Sequence, residues 1–238
     1  MISLKGYNPY KAISVLKNSK VVCFDVDSTI SQHEGLEQFA QYNCNLSQLE
    51  FIKKITNQAM LGEINYEKSL EKRLDIIKPT QQSFSSFIQK FPIHYTKGVL
   101  GFIRFLQKSQ KEIFLISGGF LEMIQPIKKE LNLDDNHIFC NTLSFHDDGT
   151  YDSFDHSKLT CKNLGKLHVV KLIKERHPSD LVVMIGDGMT DVETASVVDA
   201  FIGYGGVSYR QKVEALSMLY IDDFSILQSL CEEENSKF

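Results

Sequence analysis

Lys20-Val21-Val22-Cys23-Phe24-Asp25-Val26-Asp27-Ser28-Thr29 is the stretch that decides the fold. Its first half is apolar and β-branched, the pattern of a strand buried on both faces. Its second half is acidic and hydroxylic. On an extended strand end, residues i and i+2 point the same way, so Asp25 and Asp27 face one ligand from one side. Such a pair suits cleavage of a phosphate ester. One carboxylate attacks phosphorus and forms an acyl phosphate, while the other protonates the leaving alkoxide and then activates water. An acidic turn capping a helix would use the same residue types.

Similar runs recur at Glu112–Ile116, Leu181–Ile185 and Ala200–Ile202. Helical patterns lie between them, at Phe120–Leu131, Gly165–Arg176 and Thr190–Val197. Strands alternating with helices predict βαβ units and a parallel sheet, an α/β fold in which ligands bind beyond the carboxyl ends of the strands. Residues 34–91 read differently, as helix after helix, with apolar spacing at Gln48–Met60 and Tyr66–Ile77 and punctuation at Pro79 and Pro92. The pattern predicts a helical lobe inserted after the first strand, with core segments 1–32 and 93–238 and a cap over 33–92. His137–Tyr151 carries a hairpin signal with its turn at Asp147–Gly149, and the tail from Cys231 reads as a frayed end. A helix near Tyr10–Lys17 would pack either on the core or on a second subunit, which leaves a homodimer open.

Hydrophobic residues make up 42% of the 238, enough to bury a sizeable core. The net charge of -4 argues against a nucleic-acid partner, which needs a basic surface. An anionic substrate must then be drawn in by local cations. The five cysteines form no C-x-x-C pair, and their odd number and wide spacing fit reduced thiols in the cytoplasm. The opening residues show no long apolar run of a signal peptide, and no stretch approaches the roughly 20 apolar residues of a membrane helix.

Further along, Gly186-Asp187-Gly188-Met189-Thr190-Asp191 follows an apolar strand. Carboxylates from this loop, brought to the first pair, make an oxygen-rich site suited to Mg²⁺. A helix start capped by Asp187 or Thr190 is the alternative. Ser117-Gly118-Gly119 lies between a strand and a helix, where backbone N–H groups cradle a phosphate. A cation should stand nearby, and Lys158, Lys162, Lys166, Lys171 and Lys174 compete for that role. Lys166 opens the helix leading to the Asp187 strand.

The order D-x-D-S-T, S-G-G, Lys, G-D-G-x-T-D resembles that of the haloacid dehalogenase superfamily, with its Rossmann-like core and inserted helical cap. The stretches FDVDSTI, HEGLEQ, FLISGGF, MIGDGMTD and AFIGYGG are most similar to its phosphoserine phosphatase branch. The resemblance spans roughly residues 10–230. It implies Asp25 as nucleophile and Asp27 as acid and base. It implies Mg²⁺ held by Asp25, the Asp27 carbonyl and Asp187, with Asp191 supporting the metal from behind. Ser117, Gly118, Gly119 and Lys166 would bind phosphate. For O-phospho-L-serine as the small-molecule substrate, Glu34 would meet the ammonium and Arg73 the carboxylate, with Met60, Thr190 and Arg210 near the substrate. Two departures stand out. Leu61 precedes Gly62 where the family has Gly directly after the cap Met, and the segment from Asp27 to Met60 is longer than in the animal enzymes. Phosphotransfer to another alcohol, a phosphocholine-like ester substrate and a non-catalytic phosphoserine-binding module are the competing readings.

Overall fold

The computed structural model describes residues 4–60 and 63–233. The strands are β1 (Val21–Phe24), β2 (Glu112–Phe120), β3 (Ile138–Asn141), β4 (Leu143–Phe145), β5 (Tyr151–Phe154), β6 (Val182–Gly186), β7 (Ala200–Tyr204) and β8 (Leu219–Ile221). Before β2 run the helices α1 (Pro9–Asn18), α2 (Gly35–Asn43), α3 (Leu46–Met60), α4 (Tyr66–Ile77), α5 (Gln81–Lys90) and α6 (Val99–Lys108). After it come α7 (Leu121–Glu130), α8 (Gly165–Arg176), α9 (Met189–Val192), α10 (Gln211–Leu216) and α11 (Phe224–Glu232).

The run after Lys20 forms β1, and all of its residues are buried. Its side chains alternate between two cores. Val22 and Phe24 join one with α1, α6, α7 and α11, whereas Val21 and Cys23 join another with α8. A strand covered on both faces has no polar alternation, which is why its sequence reads as a continuous apolar run. The sheet order is β3-β2-β1-β6-β7-β8, with every pairing parallel. Phe24 pairs with Leu115 on one side and Ile185 on the other. That register brings Asp25, Ser117 and Asp187 to one edge. β1 also sits where the strand order reverses, the place at which open α/β sheets bind ligands.

Helices α2 to α5 lie between β1 and α6 along the chain. They carry their own core of Phe39, Leu70, Leu74, Phe84 and Phe87, which packs down onto Phe120, Phe154 and Cys161. Burying one apolar stripe per helix is what stabilises such short helices. Capping helps too: Asn65 accepts from the Lys68 N–H at the start of α4, and Thr80 and Ser83 form a reciprocal capping box on α5.

Several boundaries differ from the sequence reading. β2 runs four residues past Ile116, through Ser117–Phe120, with a register shift against β3 between Ile116 and Phe120. The hairpin pairs Leu143–Phe145 with Tyr151–Phe154, while Ile138–Asn141 joins the main sheet as an edge strand. Thr190–Val197 splits into α9 and a 3₁₀ turn. Cys231 and Glu232 lie within α11. α1 packs on the core through Ala12, Ile13 and Leu16.

Candidate active site

Asp25 follows the last residue of β1, and its N–H donates to the Ile185 carbonyl at 2.9 Å. The ladder thus continues one residue further and points the carboxylate out of the sheet edge. Asp187 follows β6 on the neighbouring strand, and Asp191 lies on α9. Gly186 lacks a Cβ where one would run into the Asp191 carboxyl, so glycine is what lets that side chain fold back under the loop. The ligand atoms of Asp25, Asp187 and Asp191 come within 4.8 Å of one another, and all three residues are buried. Among the described residues this is the one such cluster.

Lys166, on the first turn of α8, places Nζ 2.6 Å from Asp25 Oδ1 and 2.7 Å from Asp191 Oδ1. Burial works to lower its pKa, but the charges of Asp191 and Asp25 more than reverse that and keep it protonated. Of the lysines that competed from sequence, Lys162 instead pairs with Glu67 at 2.5 Å and Lys174 with Asp199 at 2.7 Å. Arg210 Nη1 lies 2.7 Å from Asp187 Oδ2 and also donates to the Asp187 carbonyl at 3.2 Å. Burial, then the charges of Asp25 and Asp191, push Asp187 up despite Arg210. Burial and Asp25 raise Asp191 in the same way. A buried all-oxygen set of this kind fits a hard divalent cation, which would offset the repulsion. Asp191 has both oxygens engaged, by Lys166 Nζ and by the Gly188 N–H at 3.0 Å. That suits a residue that braces the cluster.

Asp27 stands apart from the cluster. Its Oδ1 accepts from the Gly35 N–H at 2.8 Å, and its Oδ2 from Ser117 Oγ at 3.2 Å. It therefore caps α2, as the alternative reading of the acidic turn expects, and also faces Ser117. Burial, then the nearby charges of Glu34 and Asp25, raise its pKa from 3.8 to about 7. An acid in that range carries a proton at neutral pH and can give it up. The Gly119 N–H donates to Ser117 Oγ at 2.8 Å, so Ser117, Gly118 and Gly119 lie beside Asp27.

Glu34 accepts from Ser28 Oγ at 2.8 Å and sits at the start of α2. Arg73 is buried on α4, and its Nε donates to the Ser69 carbonyl at 3.3 Å. Thr190 is exposed at the start of α9, on the rim. The Met60 side chain and residues 61–62 lie outside the described residues. The sequence reading missed Tyr66, Asn141 and Thr160. Tyr66 shares a helical face with Arg73, its Oη donates to the Gly118 carbonyl at 3.4 Å, and burial raises its pKa, with the charges of Arg73 and Lys166 opposing and those of Asp27 and Glu34 adding. An aromatic residue seven positions before the arginine was the available signal. Asn141, at the end of a short edge strand, carries no such pattern.

The family model described as haloacid dehalogenase-like hydrolase matches residues 22–196. Phosphoserine phosphatase from Bos taurus is 37% identical over 216 residues, covering 91% of this chain and 95% of its own length. The chain belongs to the phosphoserine phosphatase family. Among solved structures, a phosphoserine phosphohydrolase-like protein from Francisella tularensis superposes with a TM-score of 0.75 at 33% identity, covering 89% of this chain and 99% of its own. A phospho-aspartyl intermediate analogue of phosphoserine phosphatase gives 0.73 at 25% identity, covering 89% and 98%. Among the described residues of this family member, no helix is long and apolar enough to cross a membrane.

Proposed function

We propose that the chain hydrolyses O-phospho-L-serine to L-serine and inorganic phosphate through an aspartyl-phosphate on Asp25, with Mg²⁺ as the metal. The observation that carries this is the buried trio of Asp25, Asp187 and Asp191 clasped by Lys166, with a protonatable Asp27 alongside. Asp25 attacks phosphorus and the bond from phosphorus to the serine oxygen breaks. Asp27 gives its proton to that oxygen, and serine leaves as an alcohol. Asp27, now a carboxylate, takes a proton from water as the water oxygen attacks phosphorus. The acyl phosphate bond breaks, phosphate departs, and Asp25 is restored.

Lys166, Ser117 and the N–H groups of Gly118 and Gly119 hold the phosphoryl oxygens and stabilise their charge in flight. Asp25, the Asp27 carbonyl and Asp187 would hold Mg²⁺, and Asp191 would brace them. When bound, the metal supplies a Lewis acid that offsets the repulsion between a phosphate dianion and the attacking carboxylate. Glu34 meets the substrate ammonium and Arg73 its carboxylate, with Met60, Thr190 and Arg210 on the substrate's side of the site. Residues 33–92 act as the cap that excludes water during attack. The five unpaired cysteines favour a cytoplasmic setting.

Phosphate release from a panel of phosphate esters, with Mg²⁺ against EDTA, tests the proposal. Phosphoserine should head the panel and EDTA should abolish turnover. A better ester with a different amino or alcohol part would overturn the substrate assignment.

A further inference from the structure

The phosphate cradle lies in a part of β2 that its own ladder does not hold. β2 pairs with β3 at Ile116–Phe139 and again at Phe120–Asn141, and the register shifts between them. Ser117–Gly119 therefore spans an irregular stretch. Side chains take over there. Asn141 Nδ2 donates to the Gly118 carbonyl at 2.8 Å, and Asn141 Oδ1 accepts from Thr160 Oγ1 at 2.7 Å. Asn141 is fully buried and Thr160 nearly so. Because the Gly118 carbonyl can only accept, the Asn141 amide has one orientation, nitrogen toward Gly118, and the Thr160 hydroxyl then donates to its oxygen.

A second donor reaches the same carbonyl from the helical lobe. Tyr66 Oη lies 3.4 Å from the Gly118 oxygen, and a Cβ on Gly118 would run into that hydroxyl. The first turn of α4 is fixed to the core, because the Tyr66 N–H donates to Asn163 Oδ1 at 3.0 Å. In a trans peptide the C=O and the following N–H point in opposite directions. With the Gly118 carbonyl held by Asn141 and Tyr66, the Gly119 N–H is turned the opposite way, toward Ser117 Oγ beside Asp27.

We propose that Asn141 and Tyr66 are positioning residues that jointly aim the Gly118–Gly119 peptide at the phosphate. Asn141 acts from the core, and Tyr66 acts from the helical lobe, so the cradle is fully set only when that lobe covers it. The inference rests on reading Ser117–Gly119 as the phosphate cradle.

The test compares wild type with Tyr66→Phe, Thr160→Val and the double variant, with Asn141→Ala as a harsher fourth. Wild-type release of phosphate from phosphoserine and from an aryl phosphate is measured first; its absence sinks the parent reading. Inhibition by inorganic phosphate is the decisive readout, since it reports the cradle without the serine end. Losing one neutral hydrogen bond should raise the inhibition constant by about threefold to tenfold. kcat/KM should fall by the same factor for both esters, with the Tyr66→Phe melting temperature unchanged. The double variant should depart from the product of the single effects, because both bonds serve one carbonyl. Thr160→Val preserves volume and keeps the test alive if Asn141→Ala does not fold. Inhibition constants within about twofold of wild type in Tyr66→Phe and Thr160→Val would overturn the proposal. So would a Tyr66→Phe loss confined to phosphoserine, which would make Tyr66 a reader of the serine portion.

Discussion

The carboxyl edge of the sheet and the helical lobe above it hold their polar groups in different ways. At the edge, Asp25 is fixed by the strand ladder, Asp191 by Lys166 and the Gly188 N–H, and Asp187 by Arg210 and Thr29. In the lobe, Glu34 has Ser28 and Arg73 has the Ser69 carbonyl of its own helix. One region has its carboxyl groups held by several partners each before any ligand arrives. The other presents one acid and one base with donors and acceptors to spare. Chemistry that must recur identically in each turnover belongs on the sheet. Recognition of a particular phosphate ester can sit on helices whose side chains vary independently.

The sharpest break of that comparison is Asp25→Asn. It keeps the shape and removes the proposed nucleophile, so kcat should fall by at least about 10⁴-fold with the fold intact. A variant with near-normal turnover would remove Asp25 from the chemistry. Next is Asp27→Asn, expected to cost about 10²- to 10⁴-fold with phosphoserine but far less with an aryl phosphate, whose leaving group needs no proton. Equal losses would deny Asp27 the acid role. Arg73→Ala should reduce kcat/KM for phosphoserine by about 10²-fold and leave the aryl phosphate within about threefold. Parallel losses would place Arg73 in the lobe's structure instead of at the substrate carboxylate.

Smaller effects sharpen the edge itself. Asp27, Asp187 and Asp191 all have raised pKa values, Asp27 to about 7. Each binds its proton more tightly folded than unfolded, so its stabilising contribution is present below roughly pH 4 and fades as pH rises through the folded value. Metal-free protein should therefore melt higher at pH 6 than at pH 8, and Mg²⁺ should narrow the gap. Equal melting temperatures in metal-free buffer would contradict the arrangement. The smallest effect is at Leu164, an exposed residue at φ 56° just before α8. Leu164→Asn should stabilise by about 0.5 kcal/mol, since asparagine tolerates this left-handed backbone. A lower melting temperature would show that the leucine side chain is holding something in place.

Much of the edge was legible in the chain. The apolar runs at Val21–Phe24 and Val182–Ile185 mark doubly covered strands, and the acids after them must then emerge together. β8 and α10 were not legible, being too short for a periodic signal, and neither was β3, whose two exposed-edge residues are half-buried. Sequence alone determined the alternation of the central strands with helices, the positions of Asp25, Asp27, Asp187 and Lys166 along it, and the run of helices after β1. Those follow from local periodicity and from residue types whose spacing along one strand or loop fixes their direction. Tertiary structure decided which of five lysines reaches Asp25, that Asp27 also caps α2, and that Asn141, Thr160 and Tyr66 meet at the Gly118 carbonyl. Those depend on contacts between segments far apart in the chain, which only packing brings within hydrogen-bonding distance.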